Sequence, residues 1–193
     1  HLLTPTWSPD GQWIAFASDT IELVRPDGSE LRWLGKGWLP AWSPDGTRLA
    51  CVHEEGVDVV TLDGARTRIV DEPCLGLSWS PDGRRLALAL AHEQDEPQLG
   101  VVLVDAEGGD RRVLCPGMFP RWSPRGDRIL VAREWFQLWS VPVEGGEELL
   151  LAEEARLGRW SPDGSRIAFA RGEEVVVIDA DGGGERVVRD VPE

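Results

Sequence analysis

The 193-residue chain has a single lysine, Lys36, so the other 19 of its 20 basic residues are arginine. That is a compositional bias from which no mechanism follows. Only three cysteines are present, Cys51, Cys74 and Cys115, and no C-x-x-C pair occurs. An odd, sparse set excludes a disulfide framework and a zinc site of the usual spacing. Cys51 lies in an apolar run and reads as a small core residue. Cys74 and Cys115 occupy related places, which leaves a bridge between them open. Histidine is limited to His1, His53 and His92. No apolar run approaches the roughly 20 residues that span a bilayer. Positive charge is in deficit: 34 acidic residues give a net charge of −14. Such a balance argues against phosphate-backbone binding, hence against nucleic acid, and against insertion at anionic membranes. Hydrophobic residues at 41% and charged residues at 28% fit a folded globular chain.

What the chain has in abundance is one phrase. WSPDG stands at Trp7–Gly11, Trp42–Gly46, Trp79–Gly83 and Trp160–Gly164, and WSPRG at Trp122–Gly126. The tryptophans are 35, 37, 43 and 38 residues apart. Periods between about 20 and 50 residues mean solenoids, propellers or arrays. Each period holds the same four parts. In the third, LGLSW (75–79) is a short apolar strand and SPDG a tight turn. RRLALALA (84–91) is an apolar run, HEQDEPQ (92–98) a polar loop, GVVLVD (100–105) a β-branched strand, AEGG a hairpin turn, and RRVL a last short strand. Helical periodicity is not sustained anywhere. Gly145–Gly158 is helix-like, but its place in the repeat assigns it as strand plus loop.

Four antiparallel strands per unit of this length make a propeller blade. The expected fold is therefore all-β: a single β-propeller over residues 1–193 with five four-stranded antiparallel blades, approximately 3–36, 37–72, 73–116, 117–154 and 155–191. Sheets packed on both faces explain second and third strands that are apolar runs. The phrase tryptophans Trp7, Trp42, Trp79, Trp122 and Trp160 are expected to wedge between blades. The Asp of each turn is expected to accept from backbone N–H two residues on. Arg125 replaces that Asp in the fourth turn, which must be held differently. No leftover strand completes a shared blade, so closure of the ring would rest on packing of repeat one against repeat five.

PTWSPDGQWIAFAS, PAWSPDGTRLACV, LSWSPDGRRLALA and GRWSPDGSRIAFA resemble the TolB-type, WD-repeat-like β-propeller repeat, over all five repeats. The resemblance implies a propeller whose relatives include periplasmic scaffolds binding peptides and proteins, propeller domains fused to prolyl oligopeptidase-type peptidases, and sensor domains. An extracytoplasmic setting is implied in the same way. TolB-type propellers usually have six blades, so a fragment of a six-bladed parent is the alternative fold.

Catalytic signals are faint. No G-x-S-x-G elbow occurs, and the phrase serines sit in turns without a nearby His. Asp179–Glu185 lacks the EF-hand order and reads as a hairpin turn; His92–Glu96 reads as a solvated loop. No cofactor is expected. The loops after strands two and four vary and form the rim on which function is expected. The binding candidates there and at the channel mouth are Trp38, His92, Glu93, Arg121, Trp135, Phe136 and Arg156. Aromatics at a polar rim suit a peptide or protein contact, or they seal gaps between blades. Arg121, Arg156 and Arg159 lie in or before first strands; they either line the axis as an anion-binding ring or, the expected case, pair with local acids. The expected function is a non-catalytic binding or scaffold module. Alternatives are the propeller of a larger peptidase, a stand-alone enzyme using rim carboxylates, and a repeat-array fragment with no independent function.

Overall fold

A computed structural model describes residues 5–92, 98–134 and 136–189. Twenty strands form five four-stranded antiparallel sheets, each a simple meander in chain order. Blade 1 is β1 (Thr6–Trp7), β2 (Ile14–Ala17), β3 (Thr20–Val24) and β4 (Leu31–Lys36). Blade 2 is β5 (Trp38–Trp42), β6 (Arg48–His53), β7 (Gly56–Thr61) and β8 (Arg66–Val70). Blade 3 is β9 (Cys74–Trp79), β10 (Arg85–His92), β11 (Gln98–Asp105) and β12 (Arg112–Pro116). Blade 4 is β13 (Met118–Trp122), β14 (Arg128–Arg133), β15 (Gln137–Pro142) and β16 (Leu149–Ala152). Blade 5 is β17 (Arg156–Trp160), β18 (Arg166–Arg171), β19 (Glu174–Asp179) and β20 (Arg186–Arg189). The helix-like stretch 145–158 is turn, strand β16, link and the start of β17.

The phrase builds the turn between the first two strands. The Ser hydroxyl donates to the Asp carboxylate at 2.6 Å in Ser8–Asp10, Ser43–Asp45, Ser80–Asp82 and Ser161–Asp163. The same carboxylate accepts the N–H two residues on, from Gln12, Thr47, Arg84 and Ser165. The Ser oxygen in turn accepts the N–H of the residue at or just before the start of the second strand, Trp13, Arg48, Arg85 or Arg166. Glycine follows because φ there is 68–76° in all five copies. In blade 4 the missing carboxylate is supplied two positions later: Ser123 Oγ donates to Asp127 Oδ1 at 2.6 Å.

The blades stack through four apolar clusters. Ala15, Ile21 and Leu23 of blade 1 meet Trp42, Leu49 and Val60 of blade 2. Val52, Val57 and Val59 meet Trp79, Leu86 and Leu88 of blade 3. Val101 and Leu103 meet Trp122, Ile129 and Val131 of blade 4. Leu130 and Leu138 meet Ile167, Phe169 and Val176 of blade 5. Three of the four seam tryptophans bond back one blade; the fourth, Trp122, packs in its seam with an indole N–H that has no partner among the described residues. Trp42 Nε1 donates to the Thr6 carbonyl at 3.2 Å, Trp79 to Ala41 at 3.0 Å and Trp160 to Arg121 at 3.1 Å. Arginines cover the rings from the preceding blade, with Arg48 over Trp79 at 5.2 Å and Arg85 over Trp122 at 5.4 Å.

Two expectations are corrected. Four clusters serve five blades, so among the described residues no apolar core joins blade 5 to blade 1. The expected closure by packing of repeat one on repeat five is absent there. In consequence β6 and β7 are buried on both faces, whereas β2, β3, β18 and β19 alternate buried and partly exposed residues. Trp7 is 58% exposed and is not an inter-blade wedge. Its indole has no preceding blade to fill, since each seam is made by a tryptophan facing backwards. Cys51, Cys74 and Cys115 are free and buried, so no bridge joins Cys74 and Cys115.

Candidate functional site

The first strands of all five blades line one central channel. Pro5, Thr6, Leu39, Pro40, Ala41, Leu75, Leu77, Phe119, Arg121, Leu157 and Arg159 surround a cavity of about 480 Å³. That volume lies within the ordinary range for a ligand pocket. At the opposite end, Pro9 and Pro44 from the phrase turns stand beside Trp7, Trp42 and Trp79. The mouth lined by strand beginnings is therefore the one on the loop-rich rim.

A repeated backbone irregularity shapes that mouth. The pairing of first and second strands shifts register between Trp38 and Ala41, between Met118 and Arg121, and between Arg156 and Arg159. Inside each irregularity sits a large apolar residue with positive φ: Leu39 at 51°, Phe119 at 52° and Leu157 at 52°. Leucine and phenylalanine rarely adopt such backbone, and strain of this kind collects at functional sites. These side chains are not buried: Leu39, Phe119 and Leu157 are 37%, 38% and 60% exposed. With Leu75 they form an apolar collar around the opening.

Below the collar the chemistry changes. Arg121 of β13 and Arg159 of β17 both face the channel. Arg121 donates through Nη1 to the Leu77 carbonyl at 3.3 Å, and its buried Nε has no partner. Arg159 donates to the Gly158 carbonyl at 3.2 Å. Neither takes part in an ion pair among the described residues. The expected pairing of Arg121 and Arg159 with local acids does not occur there. The reason is positional: β1, β5, β9, β13 and β17 contain no Asp or Glu, although the chain carries 34 of them. Burial and the neighbouring charge of Arg159 push the Arg121 guanidinium down to about 10, which leaves it protonated at neutral pH.

The remaining sequence candidates lie elsewhere. Trp38 opens β5 and is 37% exposed, and Phe136 stands on the loop between β14 and β15 at 45% exposure; neither lines the channel. Arg156 begins β17 and His92 ends β10, with side chains outside the described residues. Glu93 and Trp135 also lie outside the described residues. Asp179–Glu185 is a hairpin turn, closed by the Asp179 N–H to the Gly183 carbonyl at 2.8 Å. Sequence reasoning missed Leu39, Phe119 and Leu157 as a set. The available signal was their common offset, three residues before each phrase tryptophan.

A second polar cluster is structural. Asp58 of β7 is buried and receives Arg68 Nε at 2.7 Å and Arg66 Nη1 at 2.9 Å, with His53 Nε2 at 3.1 Å. Arg66 also donates to the carbonyls of Leu34 and Lys36, tying blade 2 to the outer strand of blade 1. Burial alone works against the Asp58 charge, but Arg68, His53 and Arg66 outweigh it and hold the carboxyl below its usual range.

Fold and channel together define a β-propeller. The chain is structurally similar to TolB-type and WD-like propellers. It superposes on a TolB-type chain from Agrobacterium tumefaciens with a TM-score of 0.77 at 20% identity, covering 98% of this chain and 80% of that one. An oligogalacturonate lyase from Vibrio parahaemolyticus gives 0.77 at 19% identity, covering 96% and 64%. The propeller domain of Cps50 (Swd1) from Myceliophteria thermophila gives 0.74 at 16% identity, covering 98% and 70%. At these identities the likeness concerns the fold alone. No family model and no curated protein matches the sequence.

Proposed function

We propose that this chain is a non-catalytic propeller module that presents its loop-rich channel mouth to a peptide or protein partner. The observation that carries this reading is the collar of Leu39, Phe119 and Leu157, three exposed apolar side chains on positive-φ backbone at equivalent positions of different blades. Apolar groups held rigidly beside a concave opening gain from burial under a partner, at roughly 25 cal/mol per Å² of apolar area. Rigid display on sheet ends lowers the ordering cost of binding. Trp38, which opens β5, and Phe136, on the loop between β14 and β15, are further exposed aromatics on the strand ends of this rim. A TolB protein and a lyase share the fold, so the fold carries no vote between binding and catalysis.

The test is selection of a displayed random-peptide library on the immobilised protein, followed by affinity measurement of the recovered peptides. Recovered peptides are expected to share an apolar pattern and to lose at least about tenfold in affinity against Leu39→Ser/Leu157→Ser, with the circular dichroism spectrum unchanged. Undiminished binding to that folded double variant removes the mouth as the binding face.

A further inference from the structure

We infer that the central channel is a site for a carboxylate attached to an apolar group, with the anion held by Arg121 and Arg159 and the apolar part seated in the collar above them. The inference rests on the mouth being the binding face and names the chemistry that this face takes.

Three independent observations lead there. The first is charge. Within a chain of net charge −14, the five channel strands hold no acid, and the cavity wall holds two arginines. A local excess of positive charge in a low-dielectric concavity focuses the field on an entering anion. The second is unmet hydrogen bonding. The buried Arg121 Nε has no partner, and the described contacts of both guanidiniums are single bonds to backbone carbonyls at 3.2–3.3 Å. A partly buried guanidinium such as that of Arg121, lacking a carboxylate, leaves donors unmet, and an oxyanion supplies the missing charge and acceptors together. The two like charges also oppose one another, which is part of why Arg121 releases its proton more readily than usual. An anion between them reverses that effect.

The third observation is shape. Blades 4 and 5 contribute the arginines, while blades 1 and 2 contribute Thr6, Pro40 and Ala41 to the wall. These smaller residues leave the space in front of the guanidiniums open. Above them stand Leu39, Phe119 and Leu157. An inorganic anion uses only the lower part of this arrangement. A carboxylate bearing a short aliphatic chain uses both. Two sources have this chemistry: the C-terminus of a peptide ending in an apolar residue, and a free aliphatic acid.

The experiment is isothermal titration of the full chain with three probes: acetyl-Leu-Leu with a free carboxylate, the same dipeptide as its C-terminal amide, and hexanoate. The free dipeptide is expected to bind at least about tenfold tighter than the amide. Arg159→Met, at an exposed position, and Arg121→Met, which keeps the apolar stem, are each expected to bring that ratio to within about twofold. If Arg121→Met fails to fold, Arg159→Met decides. Hexanoate matching the dipeptide identifies a free acid as the source; a clear preference for the dipeptide identifies a peptide terminus. Equal binding of acid and amide, persistence of the ratio in a folded arginine variant, or no binding by any probe overturns the inference. Equal binding that is still lost in Leu39→Ser/Leu157→Ser removes the anion site and leaves the binding-module reading standing.

Discussion

Replacing Trp79 and Trp7 separately by alanine distinguishes a seam from an open edge, although the two residues open identical phrases. Trp79 is 7% exposed, and its indole donates to the Ala41 carbonyl at 3.0 Å. A fully buried tryptophan removes about 200 Å² from water, worth roughly 5 kcal/mol at ~25 cal/mol per Å², and its hydrogen bond adds about 1. Area sums are upper bounds, and measured losses for such truncations run at about 3–5 kcal/mol. Trp7 is 58% exposed, so less than half of that area is at stake. Its replacement therefore costs at most about 2 kcal/mol. Urea unfolding followed by circular dichroism should show a large drop in midpoint for Trp79→Ala and a small one for Trp7→Ala, with similar slopes. Equal losses would refute the reasoning, because they would require Trp7 to be buried against another blade.

Three further outcomes follow from the same geometry. Asp10, Asp45, Asp82 and Asp163 are held below the usual carboxylate range, chiefly by the hydroxyls of Ser8, Ser43, Ser80 and Ser161. A depressed folded value adds stability above the unfolded value near 4 and loses it as pH falls further, so the urea midpoint should drop below about pH 4. Asp45→Asn/Asp82→Asn should flatten that acid limb, and an unchanged limb would count against the turn chemistry. Burial pushes the Cys51 and Cys74 thiols up to about 11 and raises Cys115 as well, so all three should react with a thiol reagent only on unfolding; one fast-reacting thiol in the native state would contradict this. Asp58→Ala removes the buried carboxylate that Arg66 and Arg68 share and, because both arginines keep access to water and Arg68 keeps Asp71, should cost about 1.5–3 kcal/mol in urea unfolding; a loss under about 0.5 would mean the cluster is solvated.

Local chemistry was legible in the sequence because it is written locally. The turn is written by Ser, Pro, Asp and Gly in that order, and the bond from the Arg84 N–H to Asp82 was expected from it, whereas the bond from the Ser80 hydroxyl to the same carboxylate came only with the structure. Even the fourth turn keeps its carboxylate within reach, at Asp127 instead of position 125. The open edge was not legible, because Trp7 and Trp79 have the same neighbours in sequence and differ only in what lies across the sheet. The collar was hidden for a different reason. Leu39, Phe119 and Leu157 look like ordinary strand residues, and only a positive φ inside a register shift brings them to the mouth. The arginines posed a question of pairing that depends on which acids the fold brings near, and the channel strands bring none.

The arrangement of five blades around a channel, and not in a line, is tested most directly by pulsed electron resonance distances between spin labels in the phrase turns. Suitable pairs are Gln12→Cys with Arg84→Cys, joining blades 1 and 3, and Gln12→Cys with Ser165→Cys, joining blades 1 and 5. The buried native thiols stay unlabelled. Curvature about the channel predicts that the second distance is no longer than the first. Sheets stacked in a line at about 10 Å spacing would make it twice as long, roughly 40 Å against 20 Å, and that result would contradict the fold described here.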